Sequence, residues 1–174
     1  HIDIASHVRR GGSVLGLCGG YQMLGRKITD PMGIEGSKKE IDGLGFLDVE
    51  TILTSKKTLT SVTGKDTMFN TDISGYEIHI GKTTGSDCNR PIISLVKDGK
   101  VKFDGASTYD GRIMGSYVHG IFASNSFRSA FLRNFGLKKE NSIDFNWEVE
   151  NTLDKLGDHL EKYININSLF ELAR

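Results

Sequence analysis

Apolar residues near the start of the chain form one short unbroken run, Val14-Leu15-Gly16-Leu17, behind the glycine pair Gly11-Gly12. A continuous run of this length predicts a strand buried on both faces, the kind found in parallel sheets. Residues 2–10 before it read as the end of a helix that the glycine pair stops. Residues 19–25 after it read as a helix. The result is strand, sharp turn, helix, with Cys18 on the turn.

Further along, residues 29–41 carry Asp30-Pro31-Met32-Gly33 and Lys38-Lys39 and read as loop. Looser alternation predicts strands over residues 44–53, 59–63 and 75–81. Residues 92–96 and 101–103 flank Lys97-Asp98-Gly99-Lys100, a hairpin by its Asp-Gly. Asp110-Gly111 marks another turn, and residues 112–118 predict a strand that delivers His119 at its end. Phe127, Ala130, Phe131 and Phe135 recur at helical spacing, and Gly136 supplies a C-terminal stop. Val149, Leu153, Leu156, Leu160 and Tyr163 step by four and three, which predicts a helix facing the core. Residues 168–172 fit a last short helix. A parallel-type element followed by turn-rich strands implies an α/β fold: a three-layer α/β/α sandwich with a mixed central sheet.

Composition bounds what such a fold does. The 174 residues fit one domain, and 37 % hydrophobic content supplies a core. A formal net charge of zero gives no nucleic-acid footprint. The basic pairs Lys38-Lys39 and Lys138-Lys139 read as solvated. No stretch approaches the roughly 18 apolar residues of a membrane span. The opening, His1-Ile2-Asp3-Ile4, has neither the basic segment nor the apolar core of a signal peptide. It is not Met and falls inside a predicted helix, so the chain is expected to be a piece of something longer. The two cysteines, Cys18 and Cys88, form no C-x-x-C pair, so no metal site is expected. Unpaired thiols fit a reducing, cytoplasmic setting. Cys88 sits in a loop by composition and reads as incidental.

Cys18 is the candidate chemistry. On its own it reads first as a buried core cysteine, and the flanking glycines and the later Tyr117-Val118-His119-Gly120 shift the reading to a nucleophile. Small residues at −2 and +2, Gly16 and Gly20, match the elbow that exposes a nucleophile, where side chains would clash. The following helix N-terminus favours a thiolate. A thiolate attacking a carbonyl needs a base, and His119 at the end of another strand is the candidate. The backbone N–H of Gly19, the residue after the nucleophile, is the candidate oxyanion donor. His79 competes for the base role. Period-2 alternation puts Glu77, His79 and Gly81 on one face, either a polar surface or a wall of the site. His1, His7 and His159 read as surface residues.

Five collinear motifs then carry a resemblance. They are Gly16-Leu17-Cys18-Gly19-Gly20-Tyr21-Gln22-Met23-Leu24-Gly25, the stretch from Asp30 to Gly36, Gly43-Leu44-Gly45, Gly75-Tyr76-Glu77-Ile78-His79-Ile80-Gly81, and Gly115-Ser116-Tyr117-Val118-His119-Gly120-Ile121-Phe122. In order and spacing they resemble the C-terminal class I glutamine amidotransferase domain of cobyric acid synthases. The resemblance implies a glutaminase module that passes ammonia to its own N-terminal, ATP- and Mg-dependent synthetase domain. That domain would amidate side-chain carboxylates of adenosylcobyrinic acid a,c-diamide in cobalamin biosynthesis. It also implies Cys18 as nucleophile, His119 as base, and Gln22, with Tyr21 beside it, as glutamine-binding residues. The Glu usual two residues after the His is replaced by Ile121. This leaves the orienter of His119 open, with Glu77 one candidate. The upstream domain and the first strands of the glutaminase domain are expected to lie outside this chain. Two other readings stand beside this one: a noncatalytic regulatory or ligand-binding domain on the same fold, and the glutaminase subunit of a related amide synthetase.

Overall fold

The computed structural model describes residues 2–37, 39–97, 99–137 and 144–173. The first third contains α1 (Ile2–Arg9), β1 (Val14–Leu17), α2 (Gly19–Leu24), β2 (Lys27–Thr29) and β3 (Glu40–Asp42). Two long strands follow, β4 (Glu50–Asp66) and β5 (Asp72–Thr84). Then come β6 (Ile93–Lys97), β7 (Lys100–Asp104), β8 (Ala106–Ser107), β9 (Ile113–Ser116) and β10 (Val118–His119). Three helices close the chain: α3 (Asn125–Asn134), α4 (Phe145–Tyr163) and α5 (Ile166–Leu172). His1, Lys38, Asp98, Lys138 and Lys139, read above from sequence, lie outside the described residues.

The strands sort into two sheets. In the smaller, β9 is central, parallel to β1 and antiparallel to β8. The larger runs β10-β5-β4-β2-β3, with β6 on β4 and β7 on β6. It is antiparallel except where β2 pairs parallel with β4. The architecture is mixed α/β, as the apolar run and the turn-rich middle predict. Two apolar clusters form the core. One contains Ile93, Leu95, Met114, Val118, Ile121 and Phe127. The other gathers Tyr21, Leu24, Leu47, Val49, Ile113 and Tyr117 beneath α2.

Several elements differ from the sequence reading, each for a tertiary reason. Residues 44–49 are not strand. Their N–H groups wrap the end of α2 instead: Leu44 donates to Met23 O at 2.8 Å, and Phe46 and Leu47 to Leu24 O at 3.0 and 2.9 Å. Those carbonyls lack partners inside the helix, and the wrap buries Leu47 and Val49 completely. The stretch 59–63 is the middle of β4, continued across polar residues by its ladder with β5. The expected loop 29–41 begins in β2 and ends in β3, which pair with each other.

The strand expected over 112–118 is broken, and this break shapes the site. β9 ends at Ser116, and after Tyr117 the chain enters the other sheet as β10. The buried carboxylate of Asp104 holds the crossing point. It accepts Ser116 Oγ at 2.5 Å and the Tyr117 N–H at 3.1 Å, while Val118 N donates to Ser116 Oγ at 3.0 Å. Burial pushes the Asp104 carboxyl above its ordinary range despite those bonds.

At the C-terminus, Phe127 and Ala130 of α3 are buried. Gly136 stops the helix at φ 86°, and Leu137 N bonds back to Leu132 O at 3.1 Å. The core-facing reading of the next helix is overturned. Asp144 caps α4 by accepting the Trp147 N–H, yet α4 has no buried residue. Its apolar stripe is out in solvent, with Leu153 54 % and Leu156 52 % exposed. Among the described residues, no helix is long and apolar enough to cross a membrane.

Candidate active site

The parallel pair β1 and β9 places the first candidate residue. Leu17 is in register with Ser116, and the next amide, Cys18 N–H, donates to Ser116 O at 2.9 Å. The chain then turns at once into α2, with the Cys18 carbonyl accepting from Tyr21 N and Gln22 N. Cys18 sits at φ 54°, ψ −118° to make that turn. A non-glycine residue held in this conformation costs of order 1–3 kcal/mol and is characteristic of a nucleophile elbow.

Gly16 is required here. A Cβ on it would lie 2.6 Å from both Gly20 O and Leu24 Cδ1. The expectation for Gly20 is corrected, since nothing lies within 4 Å of where its Cβ would be. Gly19 is likewise surrounded by open space at the head of α2.

His119 follows from the break at Tyr117. In β10 it is in register with Tyr76 of β5, and the two rings stack at 5.1 Å with 7° between planes. The same strand receives the elbow. Cys18 Sγ donates to Ile78 O at 3.3 Å, and Gln22 Nε2 donates to Ile80 O at 3.1 Å. The fold therefore gathers Cys18, Gln22 and His119 along one edge of β5. It does not join the thiol to the imidazole: Sγ is bonded to Ile78, and His119 Nε2 is buried without a partner.

Glu77 and His79 lie on the opposite face of β5 from Tyr76 and Ile78, as period-2 alternation requires. Glu77 is 2 % exposed and accepts from His79 Nε2 at 2.9 Å and Lys102 Nζ at 2.7 Å. The His79 bond, then the Lys102 bond and charges, outweigh burial and hold its carboxyl down at about 2. The idea that Glu77 orients His119 is thus corrected, because its side chain is committed on the far face. Nor do Glu77 and His79 wall a cavity that Cys18, Gln22 or His119 lines. Glu77, His79, Thr83, Lys102 and Tyr117 line a cavity of about 280 Å³, and the His79 ring stacks on Tyr117 at 3.8 Å.

Tyr21 is 2 % exposed and packs in the core. Its hydroxyl lies 3.7 Å from Cys88 Sγ, so here its ring supports the elbow from below. Cys88 is on a 3-10 turn, Ser86–Asn89, and burial pushes its thiol up. His7 and His159 are exposed, as read from sequence. Sequence reasoning quoted Tyr117 only as part of a motif, yet its Oη accepts from Gln22 Nε2 at 3.2 Å. Tyr76 and Lys102 also acquire partners no local pattern could announce. Among the described residues, no group of three or more His, Cys, Asp or Glu is placed to hold a metal ion.

The fold and the elbow define a mixed α/β domain that presents a strained cysteine at a strand-to-helix turn. Residues 1–127 match the CobB/CobQ-like glutamine amidotransferase domain. The chain belongs to that family, and its α/β architecture is in keeping with the class I glutamine amidotransferase fold. It is similar to the cobyric acid synthase of Cereibacter sphaeroides (strain ATCC 17025), 48 % identical over 173 residues, which is 99 % of this chain and 35 % of the relative. The cobyric acid synthase of Rhizobium rhizogenes is 50 % identical over 171 residues, 98 % of this chain and 34 % of the relative. That of Bradyrhizobium diazoefficiens is 49 % identical over 173 residues, with shares of 99 % and 35 %. The chain spans about a third of the length of these relatives.

Proposed function

We propose that this chain is the glutaminase portion of a cobyric acid synthase. The observation that carries the reading is the strained elbow at Cys18, with φ 54° where β1 meets α2. In this reading the Cys18 thiol leaves Ile78 O and gives its proton to His119. The thiolate attacks the glutamine carboxamide carbon, and the Gly19 N–H steadies the oxyanion. His119 returns the proton to the departing nitrogen, releasing ammonia and leaving a thioester. Water then hydrolyses the thioester to glutamate and regenerates the thiol. The His119 Nε2, buried and without a hydrogen-bond partner, supports this role, since no other group among the described residues engages it. Gln22 binds the substrate. Ammonia passes to an upstream synthetase domain that uses ATP and Mg to amidate corrin carboxylates, in the cytoplasm.

The thiol's bond to Ile78 O favours a second reading, a noncatalytic binding domain on the same fold. One experiment separates them. Cys18→Ala in the intact polypeptide carrying this chain should abolish glutamine-dependent amidation and leave ammonia-dependent amidation in place. Equal loss with both nitrogen sources would make Cys18 structural. Unchanged glutamine-dependent activity would remove the thiol from the chemistry.

A further inference from the structure

We infer that Tyr117 is a positioning residue for Gln22, and that together they turn Gln22 Oε1 toward an N–H donor of the ligand; this rests on the glutaminase reading above. A carboxamide has two N–H donors and one carbonyl acceptor. Gln22 Nε2 lies 3.1 Å from Ile80 O and 3.2 Å from Tyr117 Oη. Ile80 O can only accept, so it decides which end of the amide faces β5. Tyr117 Oη then takes the second N–H as an acceptor. Oη is also hydrogen-bonded to Thr83 Oγ1 at 2.5 Å, a pair in which either oxygen can give its proton, and Thr83 Oγ1 lies 2.6 Å from Thr51 Oγ1. Burial raises the phenol above its ordinary range, so Tyr117 keeps its proton at neutral pH.

Both amide protons of Gln22 are therefore used inside the protein. What remains is Oε1, which accepts and cannot donate. It recognises a donor, and glutamine offers two: the carboxamide N–H and the α-ammonium. It does not recognise a carboxylate. The Tyr117 ring is held independently of this bond, stacked on His79 at 3.8 Å and edge-on to Tyr21 at 5.1 Å. Tyr117→Phe keeps those contacts, removes the hydroxyl that accepts from Gln22 and pairs with Thr83, and frees the Gln22 amide to turn.

The test is steady-state glutaminase kinetics on the intact polypeptide. Tyr117→Phe should raise KM for glutamine about tenfold, the size of one neutral hydrogen bond, with kcat within about twofold. Thr83→Val, which removes the hydroxyl that holds Tyr117 Oη in place, should move KM in the same direction. In a Gln22→Ala background Tyr117→Phe should add nothing. Inhibition by glutamate, which keeps the ammonium, and by 4-carbamoylbutanoate, which keeps the carboxamide, identifies the donor: Tyr117→Phe weakens only the inhibitor that carries it. An unchanged KM in both Tyr117→Phe and Thr83→Val, a loss confined to kcat, or an undiminished effect without Gln22 overturns the inference. Absence of glutamine hydrolysis by the unsubstituted polypeptide is a separate result. It overturns the glutaminase reading, and the inference with it.

Discussion

Cys18 Sγ donates to the carbonyl of Ile78 at 3.3 Å, across 60 residues of sequence. The bond ties the strained elbow to the edge of β5, and Gln22 is tied to the same edge through Ile80. Tyr76, two residues before Ile78, stacks on His119. One strand thus sets where thiol, amide and imidazole stand, although none of the three belongs to it. Its far face is closed by the Lys102–Glu77–His79 cluster.

The elbow stores measurable strain. Cys18→Ala keeps a Cβ at φ 54°, whereas Cys18→Gly removes it. Relief of about 1–3 kcal/mol, less about 0.5–1 kcal/mol for glycine's freedom in the unfolded chain, leaves the glycine variant more stable by about 1 kcal/mol. Urea denaturation of the two variants checks this. A glycine variant less stable than the alanine variant by about 0.5–1 kcal/mol, the glycine cost alone, would mean the turn carries no strain.

Glu77 is expected to matter for acid stability rather than for proton transfer. Its carboxyl is held at about 2 against an ordinary 4.5, first by the hydrogen bond from His79. A depressed carboxyl contributes stability that is fully present above the unfolded value and is lost as pH falls through the folded one. Between about pH 4.5 and 2, Glu77→Gln should therefore lose stability less steeply than the unsubstituted protein. Its glutamine turnover should fall far less than the roughly hundredfold expected for loss of general-base function. Denaturation midpoints across that pH range, with turnover at neutral pH, decide both points. A parallel acid slope or a hundredfold loss of turnover would contradict the placement of Glu77.

The stripe on α4 makes no contribution to the core. Leu153→Glu with Leu156→Glu, both half-exposed, should change unfolding stability by less than about 0.5 kcal/mol each. Leu47→Ala, at a fully buried position of the wrap around α2, should cost about 2–5 kcal/mol. Thermal or denaturant unfolding of the two variants gives the comparison. A large loss in the α4 variant would show that its apolar face is packed.

Much of the site was legible locally. The run Val14 to Leu17 announces a strand, with Gly16 inside it and Cys18 just after it at the spacing an elbow needs; the expected burial on both faces is corrected, since β1 is an edge strand of its sheet and only Gly16 in it is buried. The hairpin between β6 and β7 and the stop at Gly136 came from turn chemistry in the same way. These features depend on neighbours in sequence, so the sequence displays them. The core-facing reading of Val149 to Tyr163 failed because periodicity reports an amphipathic face and not what covers it.

By itself the sequence determined the strand–turn–helix at Cys18, the strand that ends near His119, and the family resemblance carried by five collinear motifs. Only the tertiary structure decided which groups these residues meet. A buried carboxylate at Asp104, twelve residues before Ser116, breaks the strand and sends His119 into the other sheet. The alternation of β5 then puts Glu77 out of reach of His119 and leaves the backbone of Ile78 and Ile80 facing the elbow. Side-chain periodicity is written in the chain, but a strand's edge partners are set by long-range pairing, which no local pattern encodes.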